Sequence, residues 1–247
     1  MTRGSSTSSG GAVGKAALDY FRRSELPLAS LLFLLPLIIA FEVASRFYYT
    51  SADPIAFWMI GRFFSWFGVT GRMLPMLALI AILLFWHMAR RDPWKLDIRT
   101  MPLMAVETML LSLPLLVLRA AIVGRGAALG VGMPAGDWAE MAVSSIGAGI
   151  YEEAVFRLFG MTALYLVLVD VLRLPRGWSS LLMVLGTAVL FSAYHYLGAE
   201  VFQWRSFTFR TVAGIYFAVL FLTRGFGITS GVHIFYDLLI SVALWLR

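Results

Sequence analysis

The sequence predicts an all-α fold, a polytopic bundle of membrane helices, and three observations lead to this prediction. Of the 247 residues, 60% are hydrophobic and only 14% are charged, whereas soluble domains are about 45–50% apolar and roughly 25% charged. The apolar residues form long runs, and a helix needs about 20 of them to cross a bilayer. The charged residues lie mostly between these runs.

Composition also excludes several classes of protein. A net charge of +6 could indicate a nucleic-acid partner, but the 20 Lys and Arg residues are scattered between the apolar runs. Basic loops beside a bilayer explain this distribution, because they set topology and contact anionic lipid. We therefore predict the lipid bilayer as a partner and no nucleic acid. The chain contains no cysteine, which excludes a disulfide framework, a thiolate nucleophile and a Cys-ligated metal.

The N-terminal part of the chain differs from the rest. It begins with the Gly/Ser/Thr-rich stretch MTRGSSTSSGGAVG, which has little apolar surface to bury, so we expect residues 1–25 to be a disordered cytoplasmic tail. Residues 26–247 are expected to form a single transmembrane domain, because the length leaves no room for a second folded domain.

The domain is predicted to contain about seven transmembrane helices, with eight as the alternative. The candidate spans are 26–44, 73–89, 101–118, 138–169, 178–197, 207–223 and 226–246. The fourth is too long for a simple crossing, since its 32 residues would extend roughly 48 Å. We expect it to tilt, emerge or break, and Gly147 and Gly149 are the predicted weak point.

Two further segments have a predicted place relative to the membrane. Residues 57–69, FWMIGRFFSWFGV, are aromatic with a single arginine, which favours a helix lying in the membrane interface. The densest basic loop, residues 89–99, follows the second predicted span, so it lies on the same side of the membrane as the basic residues of the tail. The positive-inside rule then places the N-terminus in the cytoplasm. We expect an integral protein of the bacterial inner (plasma) membrane.

Few ionisable residues fall within the predicted spans, where an uncompensated charge is costly. Glu42, Glu107, Asp170 and His87 are interpreted as interfacial residues or single packing partners. The others are concentrated in three short sequences, YEEAVFR, FSAYH and HIFYD.

In the first of these sequences, two adjacent glutamates lie on different faces of the predicted helix. Glu153 and Arg157 are four residues apart, so they share one helical face and can pair. Glu152 is rotated by about 100° from that face and lacks the arginine. The sequence therefore predicts one braced carboxylate and one directed elsewhere.

The other two sequences place polar groups one helical turn apart. Phe191 and His195 are four residues apart on one span, and His233 and Asp237 are four apart on another. A free carboxylate and two imidazoles on three helices are able to activate a water or hold a metal. A structural role, in which these groups hold the helices together, is the alternative.

Read in order, EEAVFR, FSAYH and HIFYD resemble the EExxxR, FxxxH and HxxxN/D motifs of the CAAX-protease and bacteriocin-processing (CPBP, or Abi) family of intramembrane proteases. The resemblance covers a protease-like core at about residues 138–242. The family includes the type 2 CAAX prenyl endopeptidase, to which this sequence is similar. The resemblance implies an endopeptidase that cuts near the C-terminus or membrane anchor of a membrane-associated protein, so a membrane-anchored protein or peptide is the expected substrate.

The same resemblance implies a role for each residue. Glu152 would be the general base that activates a water, His195 would position that water, and His233 and Asp237 would stabilise the oxyanion. Three residues would support the site: Glu153, Arg157 and Phe191. Family members commonly have asparagine where this chain has Asp237. Because an ionised aspartate cannot donate a hydrogen bond, Asp237 must be protonated or must orient a neighbouring imidazole.

The cofactor is expected to be none or zinc. Glu152, His195 and His233 could ligate a zinc ion with positions left for water, but the sequence H-E-x-x-H is absent. We favour the glutamic, metal-free type of endopeptidase over the metal-dependent type.

Two other functions stay open at this point. One is a proton- or cation-coupled transporter that uses the same Glu, His and Asp residues, although no internal repeat of the kind found in transporters is visible. The other is a non-catalytic scaffold or immunity protein.

Overall fold

The computed structural model of the chain describes residues 8–47, 54–95, 97–124, 138–198 and 200–246. All regular structure in these residues is helical, which confirms the predicted all-α fold. The α-helices are α1 (Ser8–Ser24), α2 (Pro27–Ala44), α3 (Ile55–Ser65), α4 (Leu74–Ala89), α5 (Thr100–Ile122), α6 (Trp138–Glu153), α7 (Thr162–Tyr165), α8 (Arg176–Tyr194) and α9 (Trp204–Trp245). Two π-helical segments, Ala154–Met161 and Leu166–Val171, flank α7, and a 3₁₀ turn, His195–Leu197, follows α8.

Within the described residues, five helical segments are long and apolar enough to cross a membrane. They are Pro27–Ala44, Thr100–Ile122, Trp138–Val171, Arg176–Leu197 and Trp204–Trp245. The 16-residue α4 is apolar but shorter. The 11-residue α3, which covers most of the segment predicted to be interfacial, is about 16 Å long and cannot span hydrocarbon about 30 Å thick.

The long α9 contains two of the predicted spans. Its 42 residues would extend about 63 Å if straight, but the backbone leaves the helical conformation at Gly225, with φ 75° and ψ −179°. The rings of Phe217 and His233 stack at 4.6 Å although 16 residues separate them, so the two halves pack antiparallel. The spans predicted at 207–223 and 226–246 are therefore the two arms of a hairpin, and glycine at the turn supplies the positive φ.

The predicted break of the fourth span at Gly147 and Gly149 is wrong. Helix α6 runs through both glycines, and the helix instead widens to π-helical geometry from Ala154 onward. A Cβ atom at Gly147 would lie 2.3 Å from the Phe41 ring, and one at Gly149 would lie 2.4 Å from Ile234 Cγ1. The two glycines thus permit neighbouring helices to approach α6 closely, as small residues do in membrane bundles.

The predicted disorder of residues 1–25 is also wrong for Ser8–Ser24, which form α1; residues 1–7 lie outside the described residues. Sequence reasoning missed the tertiary partners of this helix. The Tyr20 hydroxyl donates to Glu107, and Arg224 donates to the carbonyl of Phe21 at 3.4 Å. Burial and the adjacent Glu107 carboxylate raise the pKa of Tyr20, so its hydroxyl stays a donor.

The basic residues of α1 and the basic loop lie at the same end of the bundle, because Arg23 pairs with Asp97 at 2.5 Å. The N-terminus in the cytoplasm stays a prediction. The core of the bundle is built around α9, which packs against α5, α6 and α8. This arrangement turns one side of each of α6, α8 and α9 towards a common interior.

Candidate active site

The site is centred on Glu152, in the last turn of α6, with a side chain that is 8% exposed. Its Oε2 atom lies 3.8 Å from His195 Nε2 and 3.9 Å from His233 Nε2. The structure therefore brings together the carboxylate and both imidazoles from three helical segments. These separations are too long for direct hydrogen bonds, but a single water could contact two such atoms at once.

His195 follows α8, and the backbone of that helix determines which ring nitrogen carries its proton. Nδ1 lies 2.8 Å from the carbonyl oxygen of Phe191. A carbonyl can only accept, so Nδ1 must donate. In the neutral imidazole this leaves Nε2, the nitrogen facing Glu152, with a free lone pair. The Phe191 ring packs against His195 with centroids 5.0 Å apart.

His233 lies on the second arm of α9 between carboxylates. Its Nδ1 is 2.7 Å from Glu153 Oε1, and its Nε2 is 3.4 Å from Asp237 Oδ2. The ring also stacks on Phe217 at 4.6 Å. Because an ionised carboxylate accepts only, Nδ1 carries a proton, and Nε2 is directed towards Asp237 and Glu152.

Glu153 and Arg157 are completely buried, and Glu153 contacts His233. Arg157 Nε lies 3.1 Å from Glu153 Oε2, close enough for an ion pair although not aligned as a hydrogen bond. Nη2 donates to the carbonyl of Gly214 at 3.1 Å, and the guanidinium lies over the Phe191 ring at 4.5 Å. The expected pairing is present, and Glu153 has the additional contact with His233 that sequence reasoning missed.

These side chains line a cavity of about 350 Å³. Besides the predicted residues Glu152, Phe191, His195, His233 and Asp237, its wall includes three residues not singled out from the sequence: Arg119, Arg210 and Tyr236. Arg119 Nη1 donates to the Tyr236 hydroxyl at 3.2 Å. The cavity therefore presents both acidic and basic groups around Glu152.

Two of the contacts missed by sequence reasoning lie close to the predicted residues. Arg210 forms a bidentate pair with Glu200 at 2.7 and 2.8 Å. The Tyr194 hydroxyl accepts from the backbone N–H of Ala56 at 2.7 Å and contacts Glu152 Oε1 at 3.4 Å. Its place just before the histidine of FSAYH was the available signal.

The donor types at this site suit zinc, but their positions do not. Across the described part of the chain, no three His, Asp or Glu side chains are placed to hold a metal ion together. A tetrahedral zinc with ligands at 2.0–2.1 Å keeps ligand atoms about 3.4 Å apart. Glu152 Oε2 lies 3.8 and 3.9 Å from the two histidine nitrogens, which is wider than this spacing.

Comparison with known families gives one match. Residues 134–239 match the family described as Type II CAAX prenyl endopeptidase Rce1-like. This match supports the resemblance to the CPBP/Abi family over that part of the chain. Comparisons with curated proteins and with solved structures found no significant match.

The match supports a CAAX-type intramembrane endopeptidase in general. The family acts on membrane-anchored, prenylated protein substrates. The long apolar helices agree with an integral membrane protein. The matched segment contains Glu152, His195, His233 and Asp237, whereas Arg119, which also lines the cavity, lies outside it.

Proposed function

We propose that the chain hydrolyses a peptide bond near the C-terminus or membrane anchor of a membrane-associated protein, with a water activated by Glu152. The observation that carries this proposal is the position of Glu152 Oε2, which faces both His195 Nε2 and His233 Nε2 across less than 4 Å. A buried carboxylate without a hydrogen-bonding protein partner at that oxygen is able to accept a proton from water.

In this mechanism, Glu152 and His195 hold the attacking water between them. The lone pair on His195 Nε2 accepts one hydrogen of the water, and Glu152 takes the other as the water oxygen bonds to the carbonyl carbon. The carbonyl oxygen becomes an oxyanion. The C–N bond then breaks, and Glu152 passes its proton to the leaving amine.

The oxyanion is stabilised by His233. In this proposal His233 is the doubly protonated imidazolium. Glu153 holds the Nδ1 proton at 2.7 Å, which fixes the ring so that the Nε2–H is directed towards the cavity. A donor already oriented where negative charge develops lowers the barrier more than one that must reorient. Arg157 balances the charge of Glu153 from behind.

Asp237 acts on the imidazole in this proposal. Its Oδ2 atom lies 3.4 Å from His233 Nε2, which supports the orienting role over direct donation to the oxyanion. No step in this proposal requires a metal ion.

The test is cleavage of a synthetic peptide that ends in an S-farnesylated CAAX sequence, with the purified full chain in detergent micelles. We expect release of the C-terminal tripeptide, identified by mass spectrometry. The same peptide without the farnesyl group is the matched control for the membrane anchor.

A chelator separates the two catalytic types. We expect the rate to be unchanged after incubation with EDTA or 1,10-phenanthroline, because the base is Glu152 itself. Loss of activity that added zinc restores would contradict the metal-free mechanism. Absence of cleavage together with ion flux in proteoliposomes would contradict the protease proposal altogether.

A further inference from the structure

Tyr194 has a hydroxyl that joins the N-terminus of α3 to Glu152. The side chain is buried at the end of α8, and its oxygen lies 2.7 Å from the backbone nitrogen of Ala56 and 3.4 Å from Glu152 Oε1. The Tyr194 ring is packed on both sides, with centroids 5.1 Å from Phe156 and 5.1 Å from His195. The hydroxyl is therefore held at a defined position beside the carboxylate.

The chemistry of the two neighbours assigns the direction of each hydrogen bond. A backbone N–H can only donate, so the Ala56 N–H occupies a lone pair of the Tyr194 oxygen. An ionised carboxylate can only accept, so the hydroxyl proton is directed at Glu152 Oε1. The contact of 3.4 Å is longer than an optimal hydroxyl hydrogen bond, which suits a group that orients the carboxylate without binding it tightly.

This contact makes the two oxygens of Glu152 different. Oε1 is assigned to Tyr194, whereas Oε2 faces His195 and His233 and has no hydrogen-bond partner among the described protein groups. A carboxylate free to rotate would exchange these roles. With Oε1 engaged, Oε2 stays the oxygen available to the water.

The contacts made by the first turn of α3 support the same position of the Tyr194 hydroxyl. Ala56 is in the first turn of α3, where backbone N–H groups have no partner within the helix, and its N–H is satisfied by Tyr194. The next residue, Phe57, packs edge-on against Tyr151 with centroids 5.1 Å apart. The start of α3 therefore contacts both Tyr194 and the residue that precedes Glu152 in sequence.

We infer that Tyr194 is a positioning residue, which selects Oε2 of Glu152 as the proton acceptor by holding Oε1 through a hydroxyl anchored on the N-terminus of α3. This inference rests on the proposed role of Glu152 as the base. It makes the short α3 helix part of the support of the active site.

The test is Tyr194→Phe, which keeps the packed ring and removes only the hydroxyl. With the S-farnesylated CAAX peptide, we expect kcat to fall about tenfold, since small errors in the placement of a reacting group are costly. KM should stay within about twofold, because Tyr194 acts on the base and not on substrate binding. The matched control is Tyr196→Phe, whose exposed hydroxyl donates to the carbonyl of Gln203 at 3.3 Å, and which should leave kcat unchanged.

Testing Tyr194→Phe in a second variant, Glu152→Asp, distinguishes a positioning role from a general loss of structure. Glu152→Asp keeps a carboxylate but shortens it by one methylene, so it no longer reaches the Tyr194 hydroxyl. In that background, Tyr194→Phe should change kcat by less than about twofold, because the coupling between the two side chains is already lost. A tenfold loss in both backgrounds would show that Tyr194 acts elsewhere and would overturn the inference.

The outcomes separate this inference from the proposed function. If the wild-type chain does not cleave the peptide, both fail. If the wild-type chain cleaves it and Tyr194→Phe retains full kcat, the proposed function stands and only the role of Tyr194 is refuted.

Discussion

Two clusters in this molecule bury an arginine with glutamates, and they are built differently. One, the anchor cluster, consists of Arg224 with Glu107, Glu25 and Ser24 and lies beside the turn of α9. Arg224 donates to both oxygens of Glu107 at 2.6 and 2.9 Å, to Glu25 at 2.9 Å and to Ser24 Oγ at 2.7 Å. Each nitrogen of the guanidinium is thus engaged.

The active-site cluster consists of Glu152, Glu153, Arg157 and His233, and its polar atoms are engaged incompletely. Glu152 Oε2 and Arg157 Nη1 are buried with no hydrogen-bond partner among the described protein groups. One oxygen of Glu153 contacts His233, and the other contacts Arg157. Groups of this kind are costly to bury unless something else engages them.

The difference gives a criterion for distinguishing buried polar clusters that only hold helices together from clusters that can take part in a reaction. A saturated cluster such as that of Arg224 has no capacity left for a substrate or a water, so it serves to hold α1, α5 and α9 together. An unsaturated cluster lining a cavity keeps an acceptor available for a reaction. Both clusters combine one arginine with two glutamates, so these charged residues alone would not distinguish them.

The largest effect should come from removing the cation of the active-site cluster. Arg157→Ala leaves the fully buried Glu153 without its ion-pair partner, which costs about 3–5 kcal/mol in buried pairs. We expect a lower yield of folded protein and a lower unfolding temperature in detergent. Arg62→Ala, at an exposed position of α3, is the control. Unchanged thermal stability would show that the pair is solvated and that the contrast with the anchor cluster is false.

The next effect concerns catalysis and not stability. Glu152→Gln keeps the size of the side chain but removes its ability to accept a proton at neutral pH. Cleavage of the farnesylated peptide should fall at least about 10²-fold, while the unfolding temperature is unchanged or rises, because an amide is easier to bury than a carboxylate. Activity that stays near the wild-type level would make Glu152 a structural residue.

Glu107→Gln tests the anchor cluster in the same way. Arg224 would keep Glu25 and Ser24 but lose a charged partner, and hydrogen bonds to charged groups contribute roughly 1.5–3 kcal/mol. We expect a lower unfolding temperature with kcat per folded molecule within about twofold of the wild type. The opposite result, normal stability with lost cleavage, would assign chemistry to the saturated cluster and reverse the comparison.

The smallest effect is expected for Asp237→Asn, which replaces the carboxylate with an amide of nearly the same size. An asparagine can still contact His233 Nε2 and can also donate to an oxyanion. We expect kcat within about threefold of the wild type, or higher, measured with the same peptide. Complete loss of activity here beside an active Glu152→Gln variant would make Asp237 the base.

Several features of the molecule could be predicted from the sequence because they depend on local spacing. Long apolar runs predicted an all-helical membrane fold, and four-residue spacings predicted which side chains share a face, as for Glu153 with Arg157. The three motifs also predicted that Glu152, His195 and His233 would share an interior. In each case the periodicity of the α-helix carries the information.

Contacts between segments distant in sequence could not be predicted in this way. The order of α1 depends on partners about 85 to 200 residues away, at Glu107 and Arg224. Gly147 and Gly149 were predicted to break the helix because local sequence patterns do not reveal the close approach of Phe41 and Ile234.

The sequence alone is enough to identify a helical membrane protein. It also indicates which polar residues lie in the interior of the bundle. Only the packing of the helices shows which of those residues have all their polar atoms engaged and which keep an acceptor atom without a protein partner. It assigned Glu153 to His233, directed Tyr194 to Glu152 Oε1 and left Oε2 facing the cavity. The reason is that helical periodicity determines the face of a side chain, whereas its hydrogen-bond partner depends on how helices far apart in sequence pack against each other.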